Sequence, residues 1–306
     1  MANIQNDGAG VLSAPQKKEK SSGFARWIKK WNDHPFSALA ELLVWLSGIA
    51  MMLIMLFLVG FILVRGIGHL SPDLFSFTYN SENASLMPAL VNTLIITALS
   101  LLIAIPFGVF TAIYLVEYAK KGSKIVKLIR ITAETLSGIP SIVYGLFGFL
   151  FFVTYLKWGN SILAGAFTLA IMILPLIMRT TEEALKSVPD SYREGSFGLG
   201  AGKLRTVFSV ILPTAIPGIL AGVILAVGRI VGETAALIYT AGTVAQVPHS
   251  LSGLMGSGRT LAVHMYNLSS EGLHVDESYA TAVILLILVV AINSLSGLVA
   301  KKLAKN

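Results

Sequence analysis

The 306-residue sequence contains no cysteine, so disulfide bonds and thiolate metal sites are excluded. Charge is also scarce, because only 13% of the residues are Asp, Glu, Lys or Arg, whereas 55% are apolar and the mean hydropathy is +0.75. The five histidines are scattered, with no two of them three or four residues apart, so we predict no metal site. This composition lies far from that of soluble domains and predicts an integral membrane protein.

Long uncharged windows predict how often the chain crosses the membrane. Six of them exceed the ~20 residues that a spanning helix needs, at 42–64, 84–116, 135–156, 158–178, 206–228 and 278–300. We therefore predict an all-α fold with six transmembrane helices in one domain at 36–306. A further uncharged window, 234–258, is interrupted by glycines and Pro248 and is interpreted as an outer or re-entrant loop.

The distribution of basic residues indicates the orientation, because cytoplasmic loops carry an excess of Lys and Arg. Of the 23 basic residues, 19 fall in the N-terminal arm, the second-to-third and fourth-to-fifth connections and the C-terminal tail. Only Arg65, Lys157 and Arg259 fall on the opposite side. Both termini are thus predicted to be cytoplasmic. The net charge of +7 is spread over separate inner segments, which argues against nucleic-acid binding.

The first 35 residues are polar and basic, and we predict a largely disordered cytoplasmic arm at 1–35. Within the arm, the segment FARWIKKW at 24–31 places aromatic residues at helical spacing against basic ones. This pattern predicts an interfacial helix that rests on anionic membrane lipid.

One predicted span carries two opposite charges, since AVGRIVGETAALIY at 226–239 contains Arg229 and Glu233. A charge at bilayer depth costs about 2.5–3.5 kcal/mol, so such residues face a partner or a wet cavity. The spacing of four predicts a common helix face. A span that restarts at Pro217 would place Arg229 just past the middle of the hydrocarbon layer, and we favour this placement. A span that begins near Phe208 would instead bring Arg229 toward the outer surface as a snorkelling cation.

Three interpretations of this pair remain open. The first is an ion pair within the helix that only neutralises two charges. In the second, the planar guanidinium binds a tetrahedral oxyanion; in the third, both charges bridge to a partner subunit as a gate. We take Arg229, Glu233 and Thr234 as candidate substrate-pathway residues.

A second candidate stretch is Ser137-Gly138-Ile139-Pro140-Ser141 at the start of the third span. Ser137, Gly138 and Ser141 could expose hydroxyls or backbone amides to a pathway. The alternative is a packing role, because Pro140 also starts or kinks a helix.

The fourth-to-fifth connection, 181–212, is an organised cytoplasmic loop. Pro189 begins a short helix that Asp190 or Ser191 is predicted to cap, and several glycines end it. Tyr192 and Phe197 at its surface suit docking into a groove on another protein.

The same loop resembles a known family. Glu194-Gly195-Ser196, then three residues, Gly200, nine more and VILP at 210–213 resemble the EAA signature of ABC-importer permeases, although Gly195 and Ser196 replace two alanines. Three further segments, LSGIPSIVYGLFG at 136–148, GRIVGETAALIYTAG at 228–242 and TLAVHMYNLSSEG at 260–272, resemble the permeases of phosphate importers. They are more similar to the PstA subunit family than to the PstC family, and the resemblance covers roughly 40–300.

The resemblance implies a type I ABC-importer permease in a prokaryotic inner membrane. It implies a PstC-like homologous permease as partner, an external PstS-like phosphate-binding protein, and a PstB-like cytoplasmic ATPase dimer that Tyr192, Glu194, Phe197 and Gly200 contact.

ATP and Mg²⁺ would then bind the ATPase, and this chain would be no enzyme and hold no cofactor. Its only Gly-Lys pair, Gly202-Lys203, lacks the earlier glycine and the following hydroxyl of a P-loop. Two alternatives remain: a permease for sulfate or molybdate, and an ATPase-independent secondary transporter, for which inverted repeats of broken helices would be expected.

Overall fold

The computed structural model describes residues 35–120, 122–272 and 274–303. The basic arm at 1–34, including the FARWIKKW segment, lies outside the described residues. By its internal contacts the chain divides into two units, 1–60 and 61–306. The described part of the first unit is a stretch of apolar helix from residue 35 onward, and every site discussed below lies in the second unit.

α-Helices make up most of the described chain, and no β-strand occurs within it. They are α1 (Pro35–Ile67), α2 (Met87–Tyr118), α3 (Lys124–Ser137), α4 (Ser141–Tyr155), α5 (Ile162–Lys186), α6 (Asp190–Gly198), α7 (Lys203–Val231), α8 (Ala235–Thr240), α9 (Leu261–Glu271) and α10 (Val275–Leu303). In the described residues, α1, α2, α5, α7 and α10 are each long and apolar enough to cross a membrane, and α3 with α4 could form a sixth crossing. The predicted all-α membrane fold is confirmed.

The third crossing differs from the predicted continuous span at 135–156. α3 ends at Ser137, Pro140 precedes α4, and the two helices are bent by 102°. Pro140 restricts the residue before it to extended backbone and supplies no N–H for the helix ladder, so the helix cannot continue through it. Neither segment alone reaches the ~20 residues that cross a hydrocarbon layer. The uncharged window 135–156 includes this break, which a hydropathy pattern does not detect.

The core is built around α5, which packs against α2, α3, α4, α7 and α8. Leu169, Ile173 and Ile177 of α5 are fully buried. Small residues on the neighbouring helices let the backbones approach closely, because a side chain added at Gly108 of α2 would overlap Ile177.

The crossing of α5 with α7 fixes the depth of Arg229. Gly218 lies against Ala184 and Gly222 against Thr180, so the two helices are antiparallel. This register places residue 229 level with about residue 173, near the middle of α5. The predicted restart at Pro217 is wrong, because α7 is one helix of 29 residues through that proline. Its length of about 43 Å exceeds a ~30 Å hydrocarbon layer, so part of α7 extends beyond the layer.

We expect Gly222→Ala to lower the melting temperature of the purified protein in detergent. The added Cβ would overlap Oγ1 of Thr180, which donates a 2.9 Å hydrogen bond to the Leu176 carbonyl. Overpacking of this kind costs about 1–3 kcal/mol, more than the ~0.5–1 kcal/mol that alanine gains over glycine in a helix.

Gly228→Ala in the same helix is the matched control, because nothing lies within 4 Å of the Cβ that it adds. Its melting temperature should be unchanged or higher than that of the parent protein. A Gly222→Ala protein as stable as Gly228→Ala would contradict close α5–α7 packing.

Candidate functional site

A cavity of about 520 Å³ opens between α3, α5 and α7, and Arg229 lies in its wall. Charged residues from the three helices line it: Arg130, Glu134, Arg179, Glu182, Glu183, Lys186 and Arg229. The wall also contains Pro175 and Thr180 of α5 and Ser137 of α3. The cavity therefore brings charges from distant parts of the sequence into one space beside the core.

The charges at the rim neutralise one another. Glu182 accepts from both Arg130 (Nη2 to Oε1, 2.7 Å) and Lys186 (Nζ to Oε1, 2.6 Å), and its side chain is only 8% exposed. Arg179 pairs with Glu183 at 3.3 Å along the same helix. One buried carboxylate thus joins α3 to α5, and three of the four cations in the wall have an acidic partner.

Arg229 differs from those cations. Within the described residues its guanidinium has no carboxylate within 4 Å and no hydrogen-bond acceptor. The residue is half-buried and faces the cavity near the middle of α5. Because a desolvated cation is costly at this depth, the guanidinium needs water or an anion in the cavity. Its planar fork of donors fits a tetrahedral oxyanion.

Glu233 does not share a helix face with Arg229. The helix α7 ends at Val231, Gly232 follows, and the two side chains form no ion pair in the described structure. The buried carboxylate of Glu233 instead accepts the backbone N–H of Ala236 (3.0 Å) at the start of α8, where a helix dipole favours negative charge. The predicted common face is wrong because the rule of four residues applies only inside a continuous helix.

The remaining candidate pathway residues separate into two places. Ser137 lines the Arg229 cavity, and its hydroxyl donates to the Glu134 carbonyl at 2.8 Å. Gly138 and Ser141 lie at the break between α3 and α4, outside the cavity lining. Thr234 lines a different cavity, with residues of α9 and α10. Their roles in a pathway stay predictions.

Sequence reasoning missed Arg130 and Glu182, which it assigned to cytoplasmic connections. In the structure α5 continues to Lys186 and α7 begins at Lys203, so only 187–202 connects them. The pairs Arg179–Glu183 and Glu182–Lys186 both have helical i,i+4 spacing and could have revealed that the helix continues.

The predicted short helix in this connection is present as α6. Pro189 precedes it, neither Asp190 nor Ser191 caps it, and Asp190 is its first residue. Glu194 is exposed, and Tyr192 and Phe197 are 49% and 47% exposed. After the helix, Gly200 has φ of 81°, a left-handed conformation that glycine adopts without strain. α6 therefore presents a largely exposed face with two aromatic rings.

Arg193 fixes α6 to the rest of the bundle. Its Nη2 bonds Glu117 at the end of α2 (2.7 Å) and the Leu185 carbonyl of α5 (3.0 Å), and its Nη1 donates to the Val188 carbonyl (2.9 Å). The side chains of Arg193 and Glu117 are only 16% and 8% exposed. Sequence spacing gave no signal for this pair, because the partners are 76 residues apart.

We expect Arg193→Leu to release α6 from the bundle. The change leaves the Glu117 carboxylate buried without its cation, a loss of about 3–5 kcal/mol for a buried pair. Limited proteolysis and hydrogen exchange should both become faster at 187–202. Arg205→Leu, at an exposed arginine, is the control and should leave both rates unchanged. Equal rates in the two variants would contradict the anchoring role.

Residues 104–305 match the family described as "Binding-protein-dependent transport system inner membrane component". The chain is similar to the probable ABC transporter permease protein YqgI of Bacillus subtilis strain 168, with 36% identity over 243 residues, 74% of this chain and 81% of the relative. It is also similar to the phosphate transport system permease protein PstA 1 of Mycobacterium tuberculosis strain CDC 1551 / Oshkosh. The identity there is 32% over 213 residues, 69% of each chain.

Among solved structures, the fold is similar to a chain of a bacterial alginate ABC transporter in complex with an alginate-bound periplasmic protein. The TM-score is 0.65 at 16% identity, over 90% of this chain and 98% of that chain. At this identity the likeness concerns the fold alone, which is that of type I ABC-importer permeases.

Proposed function

The chain belongs to the family of binding-protein-dependent transport system inner membrane components, and from that premise we propose that it is a permease subunit of an ATP-driven importer of inorganic phosphate. The chain is accordingly a transmembrane subunit and not itself an enzyme. Phosphate is supported by the relatives named for phosphate transport and by the chemistry of the Arg229 cavity. The observation that carries the proposal is one cation in the last turn of α7, level with the middle of α5, with no acidic partner in the described chain.

Transport needs a passage through the membrane, and we propose that a homologous PstC-like permease supplies its other wall. The Arg229 guanidinium would then face the passage and bind the phosphate oxyanion through two N–H groups at once. The ion-paired rim of Arg130, Glu182 and Lys186 would hold α3 against α5 beside it. Because a single cation offers only moderate affinity, the anion could leave toward the cytoplasm.

The energy for transport would come from a PstB-like ATPase dimer that binds ATP and Mg²⁺, since this chain has no P-loop. We assign the docking surface for that dimer to α6, with Tyr192, Phe197 and Glu194 exposed on it. Movement of α6 would pass through Arg193 to the ends of α2 and α5, and α5 forms one wall of the Arg229 cavity. Arg193 would thereby couple nucleotide binding on the ATPase to movement of the helices around the anion.

The α6 end of the bundle would face the cytoplasm, with both termini on that side, because the basic connections lie there. The other end, which contains α8, α9 and the loop 241–260, would face an external PstS-like binding protein that delivers the anion. The localisation follows as a multi-pass prokaryotic inner-membrane protein.

The direct test is the ATPase activity of the reconstituted complex with its binding protein. We expect inorganic phosphate to stimulate hydrolysis several-fold and sulfate to have no effect. Stimulation by sulfate or molybdate alone would assign the transporter to another oxyanion. Anion uptake without any ATPase subunit would contradict the importer proposal as a whole.

A second test concerns Arg229 directly. We expect Arg229→Ala to reduce phosphate uptake at least about thirtyfold, because loss of a charged hydrogen-bonding group to a bound anion costs about 2–5 kcal/mol. Arg229→Lys keeps the charge but loses the planar fork and should retain partial uptake. Uptake is measured with labelled phosphate in proteoliposomes.

Complex assembly is the control for this variant, measured by gel filtration of the purified subunits. Arg229→Ala should assemble normally, since its side chain makes no bond within the described chain. Loss of assembly would show a structural role for Arg229, and normal uptake would exclude it from the pathway.

A further inference from the structure

A second cavity lies at the opposite end of the bundle from α6. Its volume is about 900 Å³, and it is lined by residues 77–79, 243–247, His249 and Arg259. Hydroxyls of Thr78, Tyr79 and Thr243 and the amide of Gln246 contribute polar groups. No Asp or Glu occurs in this lining. The polar groups of the wall are therefore cationic or neutral, and Phe77, Val244, Ala245 and Val247 form its apolar part.

Arg259 is buried in this wall with unused hydrogen-bond donors. The residue is only 5% exposed, and its Nε and Nη2 have no hydrogen-bond partner anywhere in the described ranges. The guanidinium carbon lies 4.2 Å from the ring centre of Tyr79. That contact engages the positive charge through the ring face but accepts none of the in-plane N–H groups.

The backbone holds Arg259 in a defined place. Its N–H donates to the Val244 carbonyl (2.9 Å), and its carbonyl accepts from Asn92 Nδ2 of α2 (3.3 Å). The same Asn92 amide donates to the carbonyl of Gln246, a residue of the cavity wall (2.9 Å). Arg259 and the loop that lines the cavity are thus attached to a common point on α2.

The neighbouring histidine does not share the charge of Arg259. Burial and the nearby Arg259 guanidinium lower the pKa of His264 to about 3, so the ring is neutral at physiological pH. Its Nε2 lies 3.1 Å from the Ala84 carbonyl, which can only accept, so Nε2 carries the proton. Arg259 is consequently an isolated buried cation in its surroundings.

A structural arginine in this protein has a different environment. Arg193 gives its N–H groups to a carboxylate and to two backbone carbonyls. Arg259 is more deeply buried than Arg193 and has none of these acceptors in the described structure. Unsatisfied charged donors beside an acid-free cavity need an acceptor from outside the chain, and an anion satisfies both their hydrogen bonds and their charge.

We propose that this cavity is a second anion site, in which Arg259 binds a small tetrahedral oxyanion before it reaches Arg229. The fork of Nη1, Nη2 and Nε suits two oxygens of such an anion, and Gln246 and Thr243 can bond to the others. The inference rests on the proposed function only for the identity of the anion.

The test uses the assembled complex without its external binding protein, with Arg229→Ala as background so that the first site does not contribute. Equilibrium binding of labelled inorganic phosphate, and separately of labelled sulfate, is measured with and without Gln246→Glu. The new carboxylate would compete for Arg259 without removing it, so folding is preserved. We expect the affinity for the anion to fall at least about tenfold, as coupling between close opposite charges implies.

Two controls make the result specific. Gln246→Ala keeps the cavity free of acid and should weaken binding much less than Gln246→Glu does. Asn267→Asp adds the same charge on α9 outside the cavity and should retain full binding. Arg259→Gln should lose binding if it folds, as judged by its melting temperature.

Three outcomes are decisive. Phosphate binding that Gln246→Glu alone removes supports the site. Sulfate binding in place of phosphate, removed by the same change, supports the site and contradicts phosphate as the transported anion. No binding of either anion, or binding that Gln246→Glu leaves unchanged, overturns the inference while the Arg229 experiments still stand.

Discussion

A guanidinium cannot be deprotonated in a protein, so each arginine that folding removes from water must find acceptors. Arg193 satisfies this requirement with Glu117 and two carbonyls at the α6 end of the bundle. Arg229 and Arg259 have no such acceptors in the described chain, and each of them borders a cavity. The same chemical constraint thus distinguishes Arg193, which is satisfied within the described chain, from Arg229 and Arg259, which are not.

The helix α5 relates these regions to one another. Its first residues bond the loop that precedes Arg259, since Ile162 donates to the Gly256 carbonyl (3.0 Å). Its middle and second half line the Arg229 cavity, and its last turn receives the Arg193 guanidinium. α5 is the most buried of the candidate spanning helices in the described chain. This one well-packed helix therefore connects the loop that precedes Arg259 with the anchor at Arg193.

Composition and hydropathy were sufficient to predict an all-α membrane fold, and glycine and proline positions predicted α6. They were not sufficient at the breaks. Pro140 divides the third crossing, and Gly232 separates Glu233 from the helix of Arg229. The depth of Arg229 was predicted from a helix start that does not exist, and it depends instead on the register between α5 and α7.

Part of the site could not be predicted from one sequence. Glu182 joins Arg130, which is more than fifty residues earlier, and Arg193 joins Glu117. Such pairs depend on how helices pack, and neither periodicity nor local spacing contains that information. The isolation of Arg259 is likewise visible only once the surrounding loop and α2 are placed.

The attachment of α6 to the bundle depends on two main-chain carbonyls as well as on the Glu117 carboxylate. Leu185 and Val188 accept from Arg193 through their backbone, so side-chain changes at those two positions leave both acceptors in place. On α6 itself the exposed Asp190 also accepts from Arg193 Nη1 (3.1 Å), whereas Tyr192, Glu194 and Phe197 form no bond with Arg193 in the described structure. Changes at Tyr192, Glu194 or Phe197 would therefore alter the exposed surface of α6 and leave its attachment to the bundle in place.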